Sequence, residues 1–379
     1  MKCGPHAPSL RVVAAPQGGA ALLGAARRGG GGPHAPSLRG VVAPRTSAVS
    51  PTRPRQRGAA LLAAMLTVTL VATFSAAAMW QQWRSVEVEA AERARVQSAW
   101  VLTGALDWSR LILREDARSG GADHLAEPWA VPLQEARLST FLAADRNNNA
   151  DTSAADGGVL QEAFLSGQII DMQSRMNVMN LIDDGKVSEI ELNAFGKLFD
   201  LLNLPQQELT LLVDGLRLAS LDPATDAGVG SFAPLLPQKV EQLTWLGLPQ
   251  TTIDALLPFV TLLPVRTPVN LNTAPAEVIY AMVPTLKMND ATSLVTQRRF
   301  SHLNALSNAS DRIPAMGGQL DSGRHSVVSR FFEVRGRLRL DQVVMQERSL
   351  LQRDGIDVKT LWRERGVLDA VGAIAPPAR

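Results

Sequence analysis

Cysteine is almost missing. Cys3 is the only one among 379 residues, so the rest of the chain can form no disulfide and must be held by packing or by a bound ion. Histidine is scarce too, at five, and His124, His302 and His325 lack the i, i+4 spacing of a helical zinc site. Neither Gly-x-Ser-x-Gly nor a phosphate-binding glycine loop occurs, so no catalytic residue is assigned and the chain reads as a non-enzyme. Acidic residues are absent from residues 1–58, which hold nine Lys or Arg. The remainder keeps 29 of the 38 basic residues against all 36 acidic ones, a net −7. That balance argues against nucleic-acid binding by the larger part.

Charge of either sign is also absent from residues 58–83 (GAALLAAMLTVTLVATFSAAAMWQQW). This run has the ~20 apolar residues that a helix needs to cross a bilayer core. Arg53, Arg55 and Arg57 precede it and the next charge is Arg84, so the positive-inside rule keeps the N-terminus cytoplasmic and delivers the rest across the membrane. Three readings compete. Residues 76–78 (AAA) imitate a signal-peptidase site, but the run exceeds the ~7–15 apolar residues of a cleaved signal. A plain signal anchor is the second reading. The third takes Arg57-Gly58-Ala59 as the end of a basic leader, cut between Gly58 and Ala59, whose hydrophobic helix is retained.

Residues 1–52 are rich in Gly, Ala and Pro, and the stretch GPHAPSLR at 4–11 recurs at 32–39. Such composition buries no core and is expected to be disordered. Beyond Trp83 the helix is expected to continue to about residue 118 as an amphipathic arm, with Val101, Ala105, Trp108 and Ile112 inward and Arg93, Arg95, Asp107 and Arg110 outward. Gly120 and Gly121 end it. Asp145, Asn147, Asn149 and Asp151 place oxygens at alternate positions, as calcium loops do, with Asp156 at the last ligand position. Ala150 stands where such loops need Gly, so a solvated polar turn fits as well.

Residues 167–181 look like a strand entering a turn. Residues 182–191 read as turn and helix cap, Ser188 forming a capping box with Glu191 ahead of a stripe of Ile190, Ala194, Leu198 and Leu201. A second helix opens at Pro205 with Leu209, Leu212 and Leu216. Short helices follow near 238–247 and 250–260. Thr273 is placed to cap a helix that Pro284 stops, and Asn289 to start another ending in Arg298 and Arg299. From Ser326 the period becomes two. Val328, Phe332, Val334, Leu338 and Leu340 alternate with polar residues in a strand kinked or bulged at Gly336, and segments near 342–352 and 357–364 complete an antiparallel meander.

Several of these segments, in order, resemble the type II secretion system minor pseudopilin K family, also called general secretion pathway protein K. They are residues 171–180 (DMQSRMNVMN), Leu263-Pro264 and residues 269–275 (VNLNTAP). The resemblance implies an α+β fold, with a long N-terminal transmembrane and amphipathic helix and a pilin-like antiparallel sheet. A large, mostly helical insertion of the SAM-like or helix-hairpin-helix kind interrupts the sheet. Its parts would be a removed leader (1–58), the pilin helix (59–118, membrane span about 59–83), a pilin-like α/β domain (119–180 and 323–379) and the insertion (181–322). The family also binds calcium. Asp214, Asp222 and Asp226 match part of its pattern, while the expected Glu-Asp-x-x-Tyr is missing.

The same resemblance implies processing and N-methylation at Gly58 and Ala59 by a prepilin peptidase. It implies a filament and membrane helix carrying Ala63, Leu66, Leu70 and Phe74, in contact with the lipid bilayer. The expected partners are the minor pseudopilins I and J, other pseudopilins and the inner-membrane secretion platform. Ala63 would be the fifth mature residue, where a major pilin carries a Glu that neutralises the terminal amine of the subunit above. A tip subunit has no such neighbour, and an apolar residue there avoids an unpaired carboxylate in lipid. The expected place is the inner membrane, single-pass, with a periplasmic globular domain, and the pseudopilus tip on assembly. The alternative is a membrane-anchored helix-hairpin-helix DNA receptor of the competence type. Its phosphate-cradling Gly turn is replaced here by residues 284–289 (PTLKMN), so no nucleic acid is expected.

Overall fold

A computed structural model describes residues 57–138, 163–221, 233–340 and 343–366. The chain divides into two compact units, residues 1–72 and 73–379. Helix α1, Arg57–Ser119 (63 residues), begins in the first and ends in the second. No Gly or Pro interrupts it between Ala59 and Thr103, and Ala and Leu dominate its start. In the first unit every described side chain from residue 59 to 72 is exposed, Leu61, Met65, Leu66 and Leu70 among them. The Thr67 and Thr69 hydroxyls donate back to the Ala64 and Leu66 carbonyls (2.8 and 2.9 Å), which satisfies them without water. Among the described residues α1 alone is long and apolar enough to cross a membrane.

In the second unit α1 buries Ser98, Leu102, Leu106, Ser109 and Leu113. The expected stripe of Val101, Ala105, Trp108 and Ile112 is therefore about a quarter turn off at ~100° per residue, and Trp108 is 44% exposed. The sheet decides this. A Cβ on Gly336 would lie 3.2 Å from Leu102 Cδ2, so the bare glycine backbone is what lets Leu102 in. Arg110, expected in water, lies across the sheet edge and donates to the Val358 carbonyl (2.8 Å). Gly120 and Gly121 close the helix at φ +67° and +115°, values that favour glycine.

After a 3-10 turn at Pro128–Ala130, strand β1 (Leu133–Arg137) pairs with β2 (Ala163–Asp171). The chain then leaves the sheet for 3-10 turns at Met172–Ser174 and Val178–Leu181, with β3 (Met176–Asn177) between them. A hairpin of β4 (Ile182–Asp183) and β5 (Lys186–Val187) turns on Asp184 and Gly185. Both have positive φ (46° and 73°), the two-residue turn that Asp-Gly favours. Helices α2 (Glu189–Leu201) and α3 (Gln206–Ala219) follow, then a 3-10 helix Val240–Leu246, α4 (Gln250–Leu256) and β6 (Val260–Thr261). Next come β7 (Val269–Asn270), α5 (Ala276–Met282), α6 (Met288–Arg298), α7 (Leu306–Arg312) and β8 (His325–Ser326). Strands β9 (Phe331–Leu340), β10 (Val343–Asp354) and β11 (Asp357–Gly366) then complete a five-stranded antiparallel sheet of order β1-β2-β9-β10-β11.

The expected α+β class, with a long apolar N-terminal helix and an antiparallel sheet, is what the structure has. Several local readings differ. Ser188 precedes α2 without a side-chain cap, because Glu191 is buried and paired to Arg324 at 2.7 Å instead of reaching back. Ile190 is 58% exposed, and Phe195 and Phe199 fill the core in its place. Thr273 caps nothing, since α5 starts after Pro275 and the Thr273 hydroxyl serves another partner. Gly336 makes no bulge, the ladder running through it in register with both neighbours. Polar Glu333 is as buried as the apolar residues of β9, because that face of the sheet is covered as well.

The sheet packs α1 on one face through Leu106, Leu113, Phe332 and Val334, with Trp129 edge-on to Phe332 at 5.2 Å. Residues between β2 and β9 surround a core of their own, from Met176 to Met316. Gly167 faces Gly336 across the β2–β9 ladder, and a Cβ on Gly167 would come within 2.9 Å of the Arg335 carbonyl oxygen. Backbone cannot yield there as a flexible side chain would. Gly167→Ala should therefore destabilise the protein by ~1–3 kcal/mol, read as a lower denaturant midpoint of the detergent-solubilised chain.

Candidate functional site

The segments that resemble the family are brought together in space. Asn177 Oδ1 accepts from the Met179 and Leu263 backbone N–H groups (both 3.1 Å), while its amide donates to the Val265 carbonyl (2.8 Å) and Thr267 Oγ1 (3.1 Å). Asn180 pairs both ends of its amide with the Thr267 backbone (2.9 and 3.1 Å). Asn272 does the same with Leu303 (2.9 and 2.8 Å). Each buried amide thus imitates one rung of a strand ladder, satisfying backbone groups that irregular loops would leave bare.

Asp171 sits at the centre, where β2 ends. Its Oδ2 accepts from Thr273 Oγ1 (2.6 Å), Ser329 Oγ (2.6 Å) and Asn270 Nδ2 (3.0 Å), and its Oδ1 accepts from the Gln173 N–H (2.8 Å). Gln173 reaches on to the Pro268 carbonyl (2.9 Å) and takes the Arg330 N–H (2.6 Å). From Ser329 the network continues outward: its N–H donates to Asp123 (2.6 Å), and its carbonyl accepts from Arg353 (2.8 Å). Arg353 also donates to Asp123 (2.6 and 2.7 Å) and, at the end of α1, to Asp116 (2.5 Å). Asp116, Asp123, Ser329 and Arg353 carried no signal in the sequence, being isolated polar residues in four separate segments.

Burial drives the electrostatics here. It pushes the Asp171 carboxyl up to about 6, against the pull of the Ser329, Thr273 and Gln173 donors. It also raises Asp116 and Asp123, against the opposing Arg353 guanidinium. The carboxylate oxygens of Asp116, Asp123 and Glu127 lie within 4.8 Å of one another, close enough for a metal. Arg353 is the cation paired with Asp116 and Asp123, while Glu127 accepts from the His124 N–H and Trp129 Nε1. Asp214 is exposed on α3. The candidate calcium ligands Asp145, Asn147, Asn149 and Asp151 lie outside the described residues, as do Asp156, Asp222 and Asp226.

The second functional surface is α1 itself. Ala63, Leu66, Leu70 and Phe74 are exposed in the helical run that follows Gly58 and Ala59. The helix therefore presents its apolar start outward while its later turns are seated on the sheet.

A folded-state pKa above the unfolded value stabilises below about pH 4, and that contribution is lost as pH rises through about 6. For Asp171 the loss is on the order of 3 kcal/mol. The denaturation midpoint of the solubilised chain should fall as pH rises from about 4 to about 6. Asp171→Asn should flatten that slope and cost ~1–3 kcal/mol, since an amide cannot accept from the Gln173 N–H and the three other donors at once.

Residues 269–327, which hold Asn270, Asn272 and Thr273, match the family described as type II secretion system (T2SS), protein K. The type II secretion system protein K of Pseudomonas aeruginosa is 26% identical over 337 residues, covering 83% of this chain and 94% of that protein. That of Pectobacterium carotovorum subsp. carotovorum is 26% identical over 344 residues, covering 83% and 98%. Among solved structures, a chain of the GspK-GspI-GspJ complex from the enterotoxigenic Escherichia coli type 2 secretion system shares the fold. Its TM-score is 0.55 at 18% identity, over 73% of this chain and 98% of that one. The interlocked Asp171 and Asn270 segments, the similarity along nearly the whole of both relatives and the shared fold agree: the chain is similar throughout to the type II secretion system protein K family.

Proposed function

We propose that the protein is a minor pseudopilin that starts pseudopilus assembly and caps its tip. The observation that carries this is α1. One uninterrupted helix offers an exposed apolar run from Ala59 onward and is anchored further along by Leu102, Leu106 and Leu113 on its own sheet. Such a helix can sit in the inner membrane, N-terminus cytoplasmic and folded domain periplasmic, and later be drawn into a filament with its seat unchanged. A prepilin peptidase would cut after Gly58 and methylate Ala59. Ala63 would then take the fifth position, where an apolar side chain suits a subunit with nothing above it. Small residues at Ala59, Ala63 and Ala64 let neighbouring helices approach closely in lipid.

The partners would be the minor pseudopilins I and J, a reading supported by the similarity to a chain from the GspK-GspI-GspJ complex. Other pseudopilins and the inner-membrane platform complete the set. The bulky insertion between β2 and β9 suits a terminal position, because a large side domain is hard to repeat along a helical filament. Calcium remains a proposed ligand of the 145–151 segment. The competence-type alternative gains no support from the α5–α6 turn. Its carbonyls at Val283 and Pro284, with that of Tyr280, accept from the Lys197 ammonium (2.7, 3.1 and 2.7 Å), and its Val283 and Leu286 N–H groups bond within the chain. A phosphate would need free N–H groups there.

The test is the leader junction. Mass measurement of the membrane-extracted chain should give Ala59 as the methylated first residue. Gly58→Glu should leave the leader attached and stop secretion through the system. Intact processing and secretion in that variant would remove the pseudopilin reading.

A further inference from the structure

Arg298 and Arg353 are the two least exposed arginines among the described residues. Arg353 is answered by Asp116 and Asp123. Arg298, 9% exposed, spends an N–H on the Leu271 carbonyl, and among the described residues no carboxylate lies within ion-pair distance of it or of Arg299. A buried cation without a counter-charge is costly, and proteins otherwise pair it. Its environment already disfavours the charge: burial and the neighbouring Arg299 pull its pKa down to about 10.

Arg298 and Arg299 open on a cavity of about 230 Å³ between the loop after α1 and the end of α6. His124 and His302 stack there at 3.8 Å between ring centroids, 14° from parallel. Among the described residues the wall contains Asn272 and Ser301 but no acidic side chain. The arrangement is fixed from outside: Arg312 donates to the Ser301 and His302 carbonyls (2.5 and 3.1 Å), and the Ala126 N–H donates to His124 Nδ1 (3.2 Å). Asp116 and Asp123, which act on the His124 ring, are engaged by Arg353, and the Glu127 carboxylate accepts from the His124 backbone N–H and from Trp129 Nε1 (both 2.8 Å). Phe300, 89% exposed, also lines the cavity.

We propose that this cavity binds a single oxyanion, a carboxylate or phosphate group, through Arg298 and Arg299 beside the His124–His302 pair. The anion supplies the counter-charge that the described residues do not, and a guanidinium fork suits its planar or tetrahedral oxygens.

The experiment follows histidine ring resonances of the full-length chain in detergent while acetate or inorganic phosphate is added. Five histidines keep the spectrum assignable. The expected result is saturable movement of His124 and His302, with buried His325 unmoved. Arg299→Ala, at an exposed position, should weaken binding ~10-fold or more, and Arg298→Lys, which keeps the charge and loses the fork, should weaken it as well. Saturation by acetate in preference to phosphate assigns the site to an acidic side chain of an apposed protein. The reverse preference assigns it to a phosphate, free or on a headgroup, and either supports the proposal. Movement that never saturates, that is equal at all five histidines, or that persists unchanged in Arg299→Ala overturns it.

Discussion

A carboxylate removed from water must be given donors, and the donors around Asp171 come from three separate stretches of the second unit. Thr273 and Asn270 belong to the helical region, Ser329 to the chain returning to the sheet, and Gln173 to the turn that leaves it. Through Ser329 the same network reaches Asp123, Arg353 and the last turns of α1. Apolar burial is indifferent to direction, so the four residues of the Met172, Leu263, Phe331 and Leu350 patch could tolerate some sliding. Asp171 could not, because any other placement strands a buried charge. The relative setting of sheet, helix and helical region therefore rests on one oxygen pair.

That economy is open to the fold because β2 and β9 are neighbours. Asp171 lies opposite Phe332 in the ladder, so the chain leaves and re-enters the sheet at adjacent points. Closing even a long excursion between such points costs entropy that grows only with the logarithm of its length. The excursion also brings its own core, from Met176 to Met316, and asks the sheet for little apolar cover. What it must have is orientation, and the polar network around Asp171 provides that.

The sequence was readable wherever a period or a turn residue acts alone. The apolar run fixed the long helix, Gly120 and Gly121 its end, Asp184 and Gly185 a turn, and alternation the meander of β9 to β11. Reading failed where a tertiary contact overrode a local rule. Glu191 looked like a cap but pairs with Arg324, 133 residues away, and Thr273 looked like a cap but serves Asp171, 102 residues back. No local spacing encodes those distances. Of the polar network, the Asp171 and Asn270 segments were legible through family resemblance, whereas Asp123, Ser329 and Arg353 were not, since each is a single polar residue without a pattern.

The misjudged face of α1 has the most to say about assembly. Its second half carries two apolar stripes. Leu102, Leu106 and Leu113, flanked by Ser98 and Ser109, are buried on the sheet. Val96, Trp100, Trp108 and Leu111 lie about half a turn away at ~100° per residue, and all four are exposed. Periodicity alone could not choose between them, and the smaller residues won because Gly336 and the serines allow a close seat. The larger stripe remains outside. A helix patterned to pack on two sides is one that folds with its own chain on one face and keeps the other for a neighbouring helix, which is what a filament subunit requires.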